Sequence, residues 1–226
     1  VLKFSEPVMP FGDASAAAPA TLSCPGEPQL KSSGRWQNER SYSFDFEREL
    51  PAGVACRVTL RRDLRDVAGK PLDGRRETSF TTGGPTVLVS QPWGGIIEES
   101  QHFQLQTNGA VDFATVEKLA YCQVKGINER LPVVIVERDP LGAANAATLR
   151  GRTPLPAGHS LTLRCQRPLP NDAELTLVWA RGIATRSGVA RSADQRLNFR
   201  TRPLFTASFS CERAQAKAPC SPLSSM

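Results

Sequence analysis

Apolar and polar residues alternate along much of the chain with the two-residue period of a strand. Ser41-Tyr42-Ser43-Phe44-Asp45-Phe46 is the clearest run, and it puts Tyr42, Phe44 and Phe46 on one buried face. Arg57-Val58-Thr59-Leu60-Arg61, His102-Phe103-Gln104-Leu105-Gln106 and Leu161-Thr162-Leu163-Arg164 alternate in the same way. Leu175 to Ala180 is a short apolar run with a tryptophan, suited to a core strand. Turn residues punctuate these runs at Pro51-Ala52-Gly53, Gly69-Lys70-Pro71, Asn108-Gly109 and Asn171-Asp172. A helix is expected over Asp112 to Leu119, capped by Asp112, with Val116 and Leu119 facing inward. Many short strands at this spacing predict an all-β chain of β-sandwiches.

The pattern occurs twice. Leu50-Pro51-Ala52-Gly53, a strand with Cys56, Asp66-Val67-Ala68-Gly69 and Phe80-Thr81-Thr82 form one ordered series. Leu155-Pro156-Ala157-Gly158, a strand with Cys165, Gly182-Ile183-Ala184-Thr185 and Phe199-Arg200-Thr201 form the other. Each series ends before a proline, Pro85 or Pro203. This predicts tandem immunoglobulin-like sandwiches over residues 1–84 and 85–202, with 203–226 opening a third unit. The short link at Gly83-Gly84-Pro85 allows either a hinge or a fixed elbow.

Six cysteines at ordered spacings read as a disulfide frame, and therefore as an oxidising compartment. Aligned on the two LPAG turns, Cys24 and Cys56 flank the first turn and Cys122 and Cys165 the second. Cys56 lies 5 positions after Pro51 and Cys165 lies 9 after Pro156, an even difference that puts both on the same side of an equivalent strand. The expected pairs are Cys24–Cys56 and Cys122–Cys165, leaving Cys211–Cys220.

Composition narrows the function classes. Of the 28 basic residues 22 are arginine, and the net charge is +6. Arg57, Arg61, Arg62 and Arg65 are interleaved with Asp63 and Asp66, which reads as a solvated basic surface rather than a nucleic-acid face. No apolar run approaches the ~20 residues that span a bilayer. No signal peptide is present and Val1 falls inside a strand-like segment, so part of a longer protein is expected.

Catalytic chemistry is not indicated. The two histidines, His102 and His159, have no neighbours at metal-ligand spacing, and no nucleophile elbow, phosphate loop or dinucleotide fingerprint occurs. No catalytic residue, metal site or cofactor is expected. Glu98-Glu99 after Gly94-Gly95 could be a carboxylate pair, but reads as a solvated loop, since loop neighbours need not converge. Trp36 and Trp93 read as core or interdomain packing rather than recognition aromatics. Leu141 to Thr153, with Arg150 and Arg152, reads as an exposed surface loop.

The ordered elements resemble a known family. Phe4-Ser5-Glu6-Pro7-Val8-Met9-Pro10-Phe11-Gly12 looks like the opening of domains in bacterial alpha-2-macroglobulins. Gly34-Arg35-Trp36 with Arg40-Ser41-Tyr42-Ser43-Phe44, Ile97-Glu98-Glu99, Val111-Asp112 and Gly126 to Val133 are similar to that family too. Phe209-Ser210-Cys211-Glu212-Arg213 through Cys220-Ser221-Pro222-Leu223 resembles a stretch that opens its next macroglobulin-like domain. The resemblance implies the N-terminal scaffold of a protease trap in the periplasm or anchored to the envelope. Such a trap encloses an attacking protease after a bait segment is cut, so its partners are proteases met by the full-length protein, with other envelope proteins besides. No Cys-x-x-Gln thioester motif lies in these residues, a pattern closer to the branch without one. A competing expectation is a cell-surface adhesion or glycan-binding module of tandem Ig-like domains.

Overall fold

The computed structural model describes residues 1–10, 12–13, 16–25, 30–148 and 153–208, with 211, 213, 215, 217 and 218 beyond them. The first unit has β1 (Leu2–Lys3), β2 (Ala20–Ser23), β3 (Ser32–Asn38), β4 (Ser41–Phe46), β5 (Ala55–Leu60) and β6 (Glu77–Thr81). These form two three-stranded sheets, β1-β4-β3 and β2-β5-β6, closed over Tyr42, Cys56, Val58 and Leu64.

The second unit has β7 (Val87–Gln91), β8 (Ile96–Ile97), β9 (His102–Thr107), α1 (Phe113–Leu119), β10 (Tyr121–Val124), β11 (Arg130–Arg138), β12 (Ser160–Cys165), β13 (Glu174–Trp179) and β14 (Gln195–Thr201). Its strands run β7-β9-β12-β11-β10-β13-β14-β8. β11 turns the corner: Arg130–Pro132 pair with β10, and Val133–Arg138 with β12. The sheet therefore folds over itself, and Phe103, Leu105, Leu161 and Leu163 meet Leu175, Leu177, Trp179 and Phe199 in one core. Asp112 Oδ1 accepts from Ala114 N at 3.1 Å and caps α1, whose Val116 is buried. The chain is thus two immunoglobulin-like sandwiches in tandem. From Pro203 to Ser208 it is exposed and without regular structure. Most of the expected third unit lies outside the described residues.

The two units are copies at the level of single hydrogen bonds. From Arg40 to Gly83 a constant offset of 119 applies: β4 maps onto β12, β5 onto β13, and Gly83 onto Arg202. Thr82 Oγ1 donates to Pro51 O (2.7 Å) and accepts from Val54 N (3.0 Å); Thr201 Oγ1 donates to Pro170 O (2.6 Å) and accepts from Ala173 N (2.8 Å). Asp66 N donates to Lys70 O, and Thr185 N to Val189 O. Phe4 N donates to Arg40 O, and Thr107 N to His159 O. β1, β2 and β3 thereby match β9, β10 and β11.

This register corrects the one drawn from the sequence. Leu50–Gly53 joins β4 to β5, and its counterpart is Leu169–Asp172, not Leu155–Gly158, which precedes β12. Both LPAG stretches hold a glycine at positive φ, +90° at Gly53 and +84° at Gly158, and such a turn can feed any strand. The counterpart of Asp66–Gly69 is likewise Thr185–Gly188, three residues beyond the expected segment; Phe80 and Phe199 do correspond.

Cys24 bonds Cys56 and Cys122 bonds Cys165, yet the two bridges are not equivalent. Ser23 faces Arg57 across β2 and β5, so Cys24–Cys56 joins neighbouring strands of one sheet, with Cα atoms 4.1 Å apart. Its positions in the second unit are Val124 and Leu175, which face each other across β10 and β13. Cys122–Cys165 crosses from β10 to β12 with a Cα separation of 5.9 Å, where strands two apart in a flat sheet lie about 9–10 Å apart. Its positions in the first unit are Leu22 and Phe46. Cys211 is also disulfide-bonded, and Cys220 lies outside the described residues. These cross-links fit an extracytoplasmic protein.

Candidate functional site

The two sandwiches meet at a built joint. The turn from β4 to β5 reaches across: Ala52 N donates to Asn108 O at 2.9 Å, and Ser187 Oγ donates to Gly53 O at 2.6 Å. Asn108 is its centre, because its side-chain Oδ1 also accepts from Thr86 N (2.7 Å) and its own N–H donates to Thr86 O (3.1 Å). The backbones lie too close for side chains. A Cβ on Gly109 would sit 2.6 Å from Ala52 O, and one on Gly84 would sit 2.3 Å from Arg191 N.

The link itself is clamped to the second unit. Trp179, fully buried, donates from Nε1 to Pro85 O at 2.8 Å. Arg191 Nη1 donates to Thr86 Oγ1 (2.6 Å) and Pro85 O (3.2 Å). The Gln195 amide takes both backbone groups of Val87, at 3.0 and 2.8 Å. Of the two arrangements the sequence allows, this is the fixed elbow. Asn108-Gly109 reads in sequence only as a turn, and nothing local marks Trp179, Arg191 and Gln195 as the residues that hold the link.

A cleft of about 220 Å³ remains beside the joint, lined by Pro51, Gly53, Ala110, His159, Thr185 and Ser187. His159 is half-buried there, with Nδ1 3.2 Å from Thr107 O. Loss of water around the ring pulls its pKa below the ordinary histidine value, against the Thr107 carbonyl and Asp139.

The other residues singled out by sequence fall elsewhere. Glu98 and Glu99 do converge, on Arg202: Arg202 Nη2 lies 2.9 Å from Glu98 Oε2 and Nε 3.2 Å from Glu99 Oε2, while Asn171 Nδ2 donates to Glu99 Oε1. The loop pair is therefore a cross-link at the far end of the second unit, formed because β8 pairs with β14 beside Arg202. Glu99's own backbone N–H and the Asn171 amide hold its carboxyl below the usual carboxylate range. Trp36 packs edge-on against Tyr42 at 5.2 Å and donates from Nε1 to Ala16 O at 3.2 Å. Trp93 is not a packing residue; it is 92% exposed in the β7–β8 loop. His102 is exposed on β9.

Three of the four arginines in the cluster have local partners. Arg57 pairs with Glu77 at 3.2 Å, Arg61 with Asp63 at 3.1 Å, and Arg65 donates to Gly69 O at 2.9 Å. Ala143–Thr148 forms a short 3-10 segment, while Arg150 and Arg152 lie outside the described residues. Among the described residues no three His, Cys, Asp or Glu side chains group as a metal site, and no helix is long and apolar enough to cross a membrane.

No family model matches the chain, and no curated protein matches it. Two of the solved structures that are similar to it are S-layer protein structures. One is the S-layer protein rSbsC, at 20% identity and a TM-score of 0.35, covering 55% of this chain and 14% of that one. The other is the N-terminal part of the bacterial S-layer protein SbsC, at 18% identity and a TM-score of 0.35, covering 55% of this chain and 25% of that one. The chain thus spans a quarter or less of the proteins it resembles.

Proposed function

We propose that the two units are N-terminal scaffold domains of a bacterial alpha-2-macroglobulin-like protease inhibitor of the periplasm or cell envelope. The observation that carries this reading is the clamped joint. A trap that closes after bait cleavage must pass a local change along its string of domains, and a fixed elbow moves as one body where a loose link absorbs the motion. Disulfides in each unit suit a compartment rich in proteases. The motif resemblance from Phe4 to Gly12 and from Gly126 to Val133 is what supports this family reading. In this reading the residues are neither bait nor trapping chemistry, and proteases are met only through the full-length protein.

The test compares the full-length protein with residues 1–226 against several endoproteases acting on a large and a small substrate. The full-length protein should protect the large substrate after it is cut, and the two-unit piece should protect neither. Inhibition by residues 1–226 alone would overturn the assignment. The exposed Trp93 favours a second reading, a glycan-binding or adhesive module. Quenching of tryptophan fluorescence by envelope polysaccharide, abolished in Trp93→Ala, would favour that reading over the first.

A further inference from the structure

Most cationic side chains of the second unit already have partners. Lys125, Arg138, Arg167, Arg186, Arg200 and Arg202 each face a carboxylate, and Arg164 and Arg191 donate to carbonyl and hydroxyl oxygens. Among the described residues of this unit, the side chains of Lys118, Arg130, Arg181 and Arg196 make no hydrogen bond or ion pair. Three of these four converge: Lys118 near the end of α1, Arg130 at the start of β11 and Arg181 just after β13 line one cleft of about 680 Å³. Arg196 stands beside it. Pro132, Tyr121, Val178 and Arg196 form one row across β11, β10, β13 and β14, on the face of the sheet opposite to Cys122 and Leu177 in the core.

The cleft is mixed in charge, and the mixture selects a ligand. Five charged residues line it: Lys118, Arg130 and Arg181, with Glu117 and Asp194. Both carboxylates already have one partner. Glu117 lies 3.6 Å from Arg138 Nη2, and Asp194 Oδ1 accepts from Arg181 N at 2.8 Å. The cationic excess in a walled cleft raises the local concentration of anions. A carboxylate has about four acceptor sites, so Glu117 and Asp194 keep capacity to accept from hydroxyl groups while repelling a dense dianion such as phosphate. Arg130 is held in place by Tyr121, with its guanidinium carbon 4.6 Å from the ring centroid. Leu119, Pro132 and Ala193 supply apolar wall between the charges. The complementary ligand carries single, spaced negative charges, several hydroxyl groups and an apolar face.

We propose that this cleft binds an acidic saccharide, a chain of sugar rings that each bear one carboxylate. Lys118, Arg130 and Arg181 take the carboxylates, the arginines through paired N–H donors that match two carboxylate oxygens. Ring hydroxyls donate to Glu117 and Asp194, and the C–H faces of the rings lie against Leu119, Pro132 and Ala193. The volume of about 680 Å³ falls within the ~300–1,000 Å³ of sites that enclose a small ligand. Arg196 extends the path for a longer chain, since it stands two strands from Tyr121, about 9–10 Å away. Trp93 does not line the cleft. The site adds a point of attachment to the scaffold role, and no trapping chemistry.

The probe is a set of short linear galacturonic acid oligomers, titrated into residues 1–226 and followed by calorimetry and by amide chemical shifts. Their methyl esters, inorganic phosphate and an oligoglutamate peptide of matching charge are the comparisons. The acid oligomers should shift the amides of Lys118, Tyr121, Arg130 and Arg181, and should bind about tenfold or more tighter than each comparison. Arg130→Gln with Arg181→Gln should lose about tenfold or more in affinity. Arg62→Gln with Arg75→Gln, which removes the same charge from exposed positions of the first unit, should lose none. Lys118→Gln, at an exposed position of α1, should repeat the loss with the Arg130–Tyr121 contact left in place. Absence of binding at millimolar concentration would overturn the site. So would equal losses in the two double variants, because net charge alone would then be the attraction, and so would phosphate or oligoglutamate binding as tightly as the oligomers. A loss in Trp93→Ala as large as that in Arg130→Gln with Arg181→Gln would put the saccharide on the β7–β8 loop and overturn it as well.

Discussion

Substituting Gly109 by alanine separates the joint from the fold of either unit. Gly109 has no left-handed backbone, so alanine is locally acceptable and should stabilise the second unit by about 0.4–1 kcal/mol through the unfolded chain. The conflict lies across the joint, where the new Cβ would stand 2.6 Å from Ala52 O and 2.8 Å from Ala52 Cβ. Those atoms belong to backbone and to a side chain without rotamers, so relief requires the turn to retreat. The Ala52 N to Asn108 O bond (2.9 Å) and the Ser187 Oγ to Gly53 O bond (2.6 Å) are lost with it. At about 1 kcal/mol each, the docked elbow loses roughly 2 kcal/mol, or roughly thirtyfold in population. Small-angle scattering should show a broadened distance distribution and a larger maximum dimension, while calorimetry shows no loss of melting temperature in the second unit. Identical scattering curves for Gly109→Ala and the parent would refute the reasoning, as would a variant that melts lower without opening.

The repeat supplies internal controls for the remaining predictions. Thr201→Val removes a buried hydroxyl that serves both the Pro170 carbonyl and the Ala173 amide, and should cost roughly 3 kcal/mol, or about 6–12 °C, by calorimetry; Thr82→Val at the better-hydrated copy should cost visibly less. Removing the Cys122–Cys165 bridge, which spans 43 residues, should cost about 4 kcal/mol in urea titrations. Replacing Cys24 and Cys56 by valine and leucine, the residues at those places in the other unit, should be milder than the double alanine change. His159 titrates below its unfolded value because its ring is desolvated, so its contribution is intact above about pH 6.5 and is lost as the pH falls and the unfolded chain takes up the proton. Melting temperature should therefore decline through mildly acidic pH, and His159→Gln should flatten that decline.

Strand identity was readable where one face is buried. β9 and β12 follow period-two runs, because each presents every second side chain to a core, whereas in β4 only Tyr42 of the expected face is buried, Phe44 and Phe46 are half-buried, and Ser43 is buried on the other face. The Asp112 cap was readable because its chemistry is local. β3 was not, since Ser32–Asn38 is almost wholly exposed and carries no apolar alternation. The register of the repeat was missed for a different reason. It is fixed by threonine hydroxyls, Thr82 and Thr201, reaching back 31 residues to Pro51 and Pro170, and no short motif announces such a clasp. The two LPAG turns are louder in sequence and structurally unrelated. Convergence of Glu98, Glu99 and Arg202 depends on the fold closing a sequence separation of 104 by bringing β8 beside β14. The joint was equally silent, because it combines backbone groups brought close by Gly84 and Gly109 with side chains, Trp179, Arg191 and Gln195, that lie far along the chain from the link they hold.

The mismatch between the bridges shows what each covalent tie does not have to do. Cys24–Cys56 sits where the second copy has Val124 and Leu175, and Cys122–Cys165 where the first has Leu22 and Phe46. Each unit therefore closes, with apolar side chains alone, the place that the other closes with sulfur, so neither cross-link is demanded by the strand arrangement that the two share.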